Sequence, residues 1–104
     1  MLYLYSIAEV DMKESVADRK GYLVRSVDSA KDIAYLWLES IELHKVVSFG
    51  LPEVDDRQNL WRVPLVSSFN GIRVGEVVVN AYCGGIDANR TTDPDLIEKR
   101  LLKK

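Results

Sequence analysis

The stretch from Leu60 to Ile86, LWRVPLVSSFNGIRVGEVVVNAYCGGI, most constrains what this chain can fold into, because it holds the clearest strand and turn chemistry. Trp61, Val63 and Leu65 alternate with Arg62, Pro64 and Val66, which is the two-residue period of a strand with two unlike faces. Asn70-Gly71 follows, a pair that supplies the positive-φ positions of a tight turn, and Ile72 to Ala81 is rich in β-branched residues. The stretch therefore predicts a β-hairpin, with Cys83-Gly84-Gly85 stopping its return strand. Pro64 has no N–H for a ladder, so its strand lies at an edge, or the proline sits at a non-bonded position or a bulge. Gly75 reads as a bulge or a close-packing position, since no phosphate-loop or dinucleotide spacing surrounds it.

Upstream, Met1 to Val10 reads as a strand with two fairly apolar faces, suited to burial or a subunit contact. It lacks a basic start and meets Glu9 and Asp11 too soon for an export signal or membrane span. Asp11 to Lys20 is a charged linker or solvated helical turn closed by Gly21, and Tyr22 to Val27 has the residue types of a short strand. Asp28-Ser29 with Asp32 marks a helix N-terminus. Ala30, Ile33, Ala34, Trp37, Leu38 and Ile41 then line one face of a helix predicted over 30–43, with Tyr35 and Leu36 broadening that face. His44 to Phe49 reads as a strand ended by Gly50 and Pro52, and Glu53 to Asn59 as a polar connection. Asp87 to Thr92 is a second polar connector. Asp93-Pro94 opens a last helix with an N-cap acid and a first-turn proline, and Leu96, Ile97 and Leu101 are its packing residues.

These elements make one α+β domain over 1–104, a main helix packed on an antiparallel sheet of three to five strands with a C-terminal helix. The length of 104 residues suits one core, and 47% hydrophobic with 29% charged residues describes a folded chain rather than a disordered one. A net charge of −2 argues against a dedicated nucleic-acid binder. The single thiol, Cys83, allows no disulfide within the chain and no cysteine-based zinc site, which fits a cytoplasmic setting.

The helix followed by Trp61-Arg62-Val63-Pro64-Leu65-Val66 and then Val74-Gly75-Glu76-Val77-Val78-Val79-Asn80-Ala81 resembles the PepSY-type domain, over about Ala30 to Ile86. That family's last strand closes on a V-D-A-x-T-G-E-I-like tail, here Val79 to Ile86, with Asn80, Cys83 and Gly85 replacing the usual acid, threonine and glutamate. Many such domains act outside the cytoplasm, a further departure from the setting expected here. The resemblance implies a small noncatalytic α+β module that binds or restrains a partner, often a peptidase.

Little in the sequence assembles into reaction chemistry. His44, the only histidine, follows the main helix and is expected to meet its terminal carbonyls or stay exposed. Cys83 is expected to be a buried filler, with a Cys83–His44 dyad as the chemical alternative. Asp55 and Asp56, with Glu53 nearby, are candidate ligands for a hard cation, set against a solvated loop. Lys99, Arg100, Lys103 and Lys104 suit the last helix's dipole; they would touch nucleic acid only if aligned with Lys45 or Arg73.

The leading expectation is therefore a noncatalytic protein-interaction or inhibitory module without cofactor or metal. Its partner is an unidentified protein or a second copy, its surface a sheet edge or an outer face carrying Tyr3, Tyr5 and Tyr82. The alternatives are a ligand-binding domain or enzyme with a pocket near His44 and Cys83, and a nucleic-acid accessory protein.

Overall fold

A computed structural model describes residues 21–102. It shows an α+β fold, one helix followed by an antiparallel sheet and a C-terminal helix. In chain order the elements are α1 (Val27–Ser40), β1 (Val47–Phe49), β2 (Glu53–Asp55), β3 (Leu60–Ser67), β4 (Arg73–Asn80) and α2 (Pro94–Leu102). The strand expected over residues 1–10 lies outside the described residues.

β3 is the centre of the sheet, which settles the place of Pro64. β4 pairs antiparallel with it from Leu60↔Asn80 to Val66↔Arg73, taking up one whole side. β1 and β2 share the other side: Val47 to Phe49 face Ser67 to Leu65, and Glu53 to Asp55 face Arg62 to Leu60. They are two halves of one interrupted strand, and Glu53–Asp55, expected to be a polar connection, is its second half. The interruption lies opposite Pro64. A residue's N–H and C=O leave a strand on the same side, and the Pro64 carbonyl accepts from Gly50 N at 2.9 Å. The missing N–H of Pro64 therefore faces the gap between β1 and β2, where no regular strand asks for it.

The hairpin forms with a wider turn than expected. Asn70-Gly71 is not a two-residue turn; Ser67 N donates to Ile72 O and Gly71 N to Ser67 O, both at 2.9 Å, around a loop of residues 68–71. Only Gly71 takes a positive φ, +73°, and the Asn70 side chain instead accepts from Ile72 N at 3.0 Å. The ladder slips at Leu65/Val66, leaving Val74 as the extra residue beside Gly75. Gly75 is also a close-packing position: a Cβ there would stand 2.8 Å from Thr92 Oγ1.

Trp61, Val63 and Leu65 pair with Val79, Val77 and Gly75, and this face meets α1 through Ala30, Ala34 and Leu38, with Ile33, Trp37 and Ile41 half-buried beside them. Burying each Val or Leu on such a face is worth about 1.5–3 kcal/mol relative to exposure. Ile97 of α2 joins the same core, and Tyr35 and Leu36 stay exposed on the far side of α1.

The expected strand over Tyr22 to Val27 is absent. Leu23 N and Val24 N both donate to one carbonyl, that of Ala81, at 3.0 Å, which cannot extend a ladder; the Val24 carbonyl takes the buried Trp61 indole N–H at 2.9 Å. The segment is a strap from the end of β4 to the start of α1. The helix consequently begins and ends three residues earlier than expected. Ser26, rather than Asp28-Ser29, is the N-cap, its hydroxyl accepting from Ser29 N at 3.0 Å.

At the other end of α1, Leu43 N donates to Leu38 O at 2.9 Å and Glu42 N to Glu39 O at 3.0 Å, the paired bonds of a Schellman closure. That geometry places Glu42 in the left-handed region at φ 62°, a position where glycine avoids the Cβ cost. Glu42→Gly is expected to raise unfolding stability by roughly 0.5–1 kcal/mol, read as a higher urea midpoint with unchanged slope.

Candidate functional site

The outer edge of β4 is closed by side chains and loop backbone rather than by a strand. Along its even-numbered residues, Val74 O accepts from Arg100 Nη1 at 3.2 Å, and Glu76 N donates to Thr92 Oγ1 while Glu76 O accepts from Thr92 N, both at 3.0 Å. Val78 N donates to Thr91 Oγ1 at 2.9 Å, Val78 O accepts from Asp87 N at 2.8 Å, and Asn80 N donates to Gly85 O at 2.8 Å. The polar connector and the last helix thus supply what a neighbouring strand would. Arg90 Nη1, 2.7 Å from Asp87 Oδ2, fixes the connector's turn and holds the Asp87 carboxyl below its ordinary range.

Among the described residues the opposite edge has no such cover. Val46 O and Gly50 N bond to Ser68 N and Pro64 O on the β3 side, so the intervening residues alternate outward. The backbone groups of Val47 and Phe49 point away from the sheet, and among the described residues neither bonds to another segment. Leu51 is 73% exposed and Val54 37%. Shortness, the Gly50–Pro52 break and flanking charges are the usual means by which such an edge limits indiscriminate pairing.

The other sequence candidates are dispersed. Tyr82 is half-exposed and meets Tyr22 edge-on at 5.2 Å between ring centroids, so it stands beside a buried ring rather than free. Tyr3 and Tyr5 lie outside the described residues. Cys83 is exposed rather than a buried filler, because Asn80 Oδ1 accepts from Tyr82 N and Cys83 N and turns the chain outward there. His44 meets the Tyr35 ring edge-on at 5.6 Å, and its Nδ1 is buried without a hydrogen-bond partner, so the helix carbonyls do not engage it. The Schellman bonds of Glu42 and Leu43 already occupy them. Cys83 lies beside the strap that precedes α1 and His44 follows the opposite end of that helix, so the fold does not bring the two together.

Asp55, Asp56 and Glu53 do not form a cation site. Asp55 Oδ1 accepts from Arg57 N and Gln58 N at 3.0 and 3.2 Å, closing the β2–β3 turn, while its Oδ2 lies 3.9 Å from Arg62. The groove of about 340 Å³ lined by Glu53, Asp55, Asp56, Arg57 and Arg62 is therefore of mixed charge. Among the described residues no three His, Cys, Asp or Glu side chains are grouped to hold a metal. Of the basic residues weighed for nucleic-acid contact, Arg73 pairs with Glu76 at 2.9 Å, as Arg62 does at 3.3 Å, and Arg100 donates to the Val74 carbonyl. Lys103 and Lys104 lie outside the described residues. An apolar groove of about 310 Å³ lies between Leu43, Val46, Phe69, Leu101 and Leu102, with Glu98 at its rim.

The cluster around Tyr22 escaped the sequence reading. Its buried hydroxyl lies 3.0 Å from Asn59 Oδ1 and 3.3 Å from Asp56 Oδ1, joining the strap to the turn before β3. Asn59 sits at φ 57°, and its carbonyl accepts from Ala81 N at 2.9 Å. The only advance signal was the Asp-Asp…Asn run itself, because the partner is more than 30 residues away in sequence.

Compared with family models, curated proteins and solved structures, the chain matches none. Among the described residues no helix is long and apolar enough to cross a membrane.

Burial, with the Asp56 carboxylate beside it, raises the Tyr22 phenol above its ordinary 10.0. The folded state then holds this proton more tightly than the unfolded state, so its contribution is complete below pH 10.0 and is lost as pH rises through the folded value. Tyr22→Phe is expected to cost about 1 kcal/mol at neutral pH and to flatten the alkaline fall in stability. Urea titrations of both proteins at a series of alkaline pH values check this; parallel curves would remove Tyr22 as the cause.

Proposed function

We propose that this protein is a noncatalytic interaction module that engages an extended segment of a partner along the β1–β2 edge. The observation that carries the reading is the asymmetry of the sheet: the β4 edge has its donors and acceptors satisfied internally, and the β1 edge presents the backbone of Val47 and Phe49 outward, unpaired among the described residues. Strand addition uses such groups for affinity and adjacent side-chain positions for selectivity. Leu51 and Val54 provide exposed apolar contacts beside that backbone.

The PepSY-like resemblance is part of the same proposal, since the order of α1, β3 and β4 supports a small α+β module that restrains a partner. A cytoplasmic setting with its reducing environment is compatible with the exposed Cys83. Tyr82, at the opposite end of β4 from the hairpin turn, is an accessory contact in this reading.

The test is selection from a displayed library of random extended peptides against the wild-type protein and against Leu51→Lys, a change at an exposed side chain that guards the edge with charge. Peptides of alternating character that bind the wild type and lose at least about tenfold in affinity for the variant are the expected outcome. Binding that ignores Leu51→Lys would overturn the use of this edge.

A further inference from the structure

The turn that closes the β3–β4 hairpin holds the parts of a reaction with itself. Asn70 and Gly71 are both exposed, and among the described residues nothing stands within 4 Å of where a side chain at Gly71 would begin, so water reaches the peptide link between them. Glycine also places no Cβ in the way of an approach by its nitrogen to the Asn70 side-chain amide. That amide is already engaged: Ile72 N donates to Asn70 Oδ1 at 3.0 Å, a donor aimed where negative charge develops when a nucleophile adds to Cγ. One contact opposes the attack. Gly71 N donates to Ser67 O at 2.9 Å, and this bond must open before the nitrogen can lose its proton. Asn80 shows by contrast what glycine and exposure supply. Its Oδ1 also accepts two N–H bonds, from Tyr82 and Cys83, but the nitrogen that would attack belongs to the buried Ala81 and is held by Asn59 O at 2.9 Å.

We propose that Asn70 is a self-modification site, at which the Gly71 nitrogen displaces ammonia from the side-chain amide at a rate gated by the Gly71–Ser67 hydrogen bond. Hydroxide removes the Gly71 amide proton, the freed electron pair forms a bond to Asn70 Cγ, and the Cγ–Nδ2 bond breaks as Nδ2 takes a proton from water and leaves as ammonia. Water then opens the cyclic imide at either carbonyl, leaving aspartate or isoaspartate, and nothing is oxidised or reduced. Isoaspartate carries the main chain through Cβ and Cγ, so the loop gains a backbone atom between Ser67 and Ile72, which Ser67 N to Ile72 O holds together at 2.9 Å. The lengthened loop adjoins β1, because Ser68 holds Val46 O through its N–H and bonds Ser48 Oγ through its hydroxyl, both at 2.9 Å.

The experiment incubates the full chain at mildly alkaline pH, folded and in guanidinium chloride, and follows by peptide mapping the mass gain of an amide exchanged for an acid. Asn70→Gln, whose longer side chain closes the ring poorly, is the control. The expected result is a gain at Asn70 in both states, roughly tenfold slower in the folded chain because one hydrogen bond must open first, and none at that position in Asn70→Gln. Asn80 is expected to stay unchanged in the folded chain. The isoaspartate form, separated by ion exchange, is expected to exchange its Ser68 amide faster than the unmodified chain. Equal rates in the two states would overturn the gate. A folded rate reduced by the full unfolding equilibrium would overturn it too, since the reaction would then belong to the unfolded chain rather than to local opening of the loop. Asn80 reacting as fast as Asn70 in the folded chain would overturn the site's selectivity, and unchanged protection of Ser68 would overturn the link to β1.

Discussion

Every hydrogen-bonding group along a strand has to end somewhere, and the arrangement of this protein follows from how the two sides of β3 meet that requirement. On one side β4 runs the full length of the strand. On the other, Pro64 cannot donate, and the partner strand breaks opposite it into β1 and β2. β4 passes the requirement outward to Thr91, Thr92, Asp87, Gly85 and Arg100, so the C-terminal third of the chain is held to the sheet by backbone satisfaction as well as by the burial of Ile97. A buried, unpaired N–H costs enough that these substitutes are a structural necessity.

The helix is fastened at its start by bonds that reach far along the chain and at its end by a local closure. Ahead of it, the strap places Leu23 and Val24 on Ala81 and lets Trp61 close on the Val24 carbonyl, while Tyr22 fixes the turn that starts β3. Behind it, Glu42 accepts a left-handed conformation so that Leu43 can turn back under Leu38. The charge pairs on the opposite face of the sheet, Arg62 and Arg73 on Glu76, are partly exposed and of the kind worth about 0–1 kcal/mol each; they trim the surface more than they hold the fold.

Among the described residues, the β1 edge is left without an internal hydrogen-bonding partner. The residues that chemistry would single out in the sequence, His44, Cys83, Asp55 and Asp56, end up apart or occupied: an imidazole against Tyr35, a thiol on an exposed turn, carboxylates closing a loop and receiving a tyrosine hydroxyl. Their residue types were legible, but their surroundings depend on which loop packs on which. The edge itself was harder to see, because Val46 to Leu51 has the composition of any buried strand and nothing local says which of its sides finds a partner.

Periodicity and turn chemistry determined the elements that satisfy themselves locally. The apolar face of α1, the alternation in β3, the β-branched run of β4 and the Asp93-Pro94 start of α2, where Asp95 N bonds to Asp93 Oδ1 at 2.9 Å, all follow from residues within a few positions of one another. Tertiary structure decided the remainder. It made Tyr22 to Ser26 a strap instead of a strand, moved the cap of α1 to Ser26, turned Glu53 to Asp55 into a strand and widened the Asn70-Gly71 turn. For the strap and for Glu53 to Asp55 the deciding contact joins the segment to a partner set by the fold, Ala81 or Arg62, and short sequence windows carry no information about where that partner will stand.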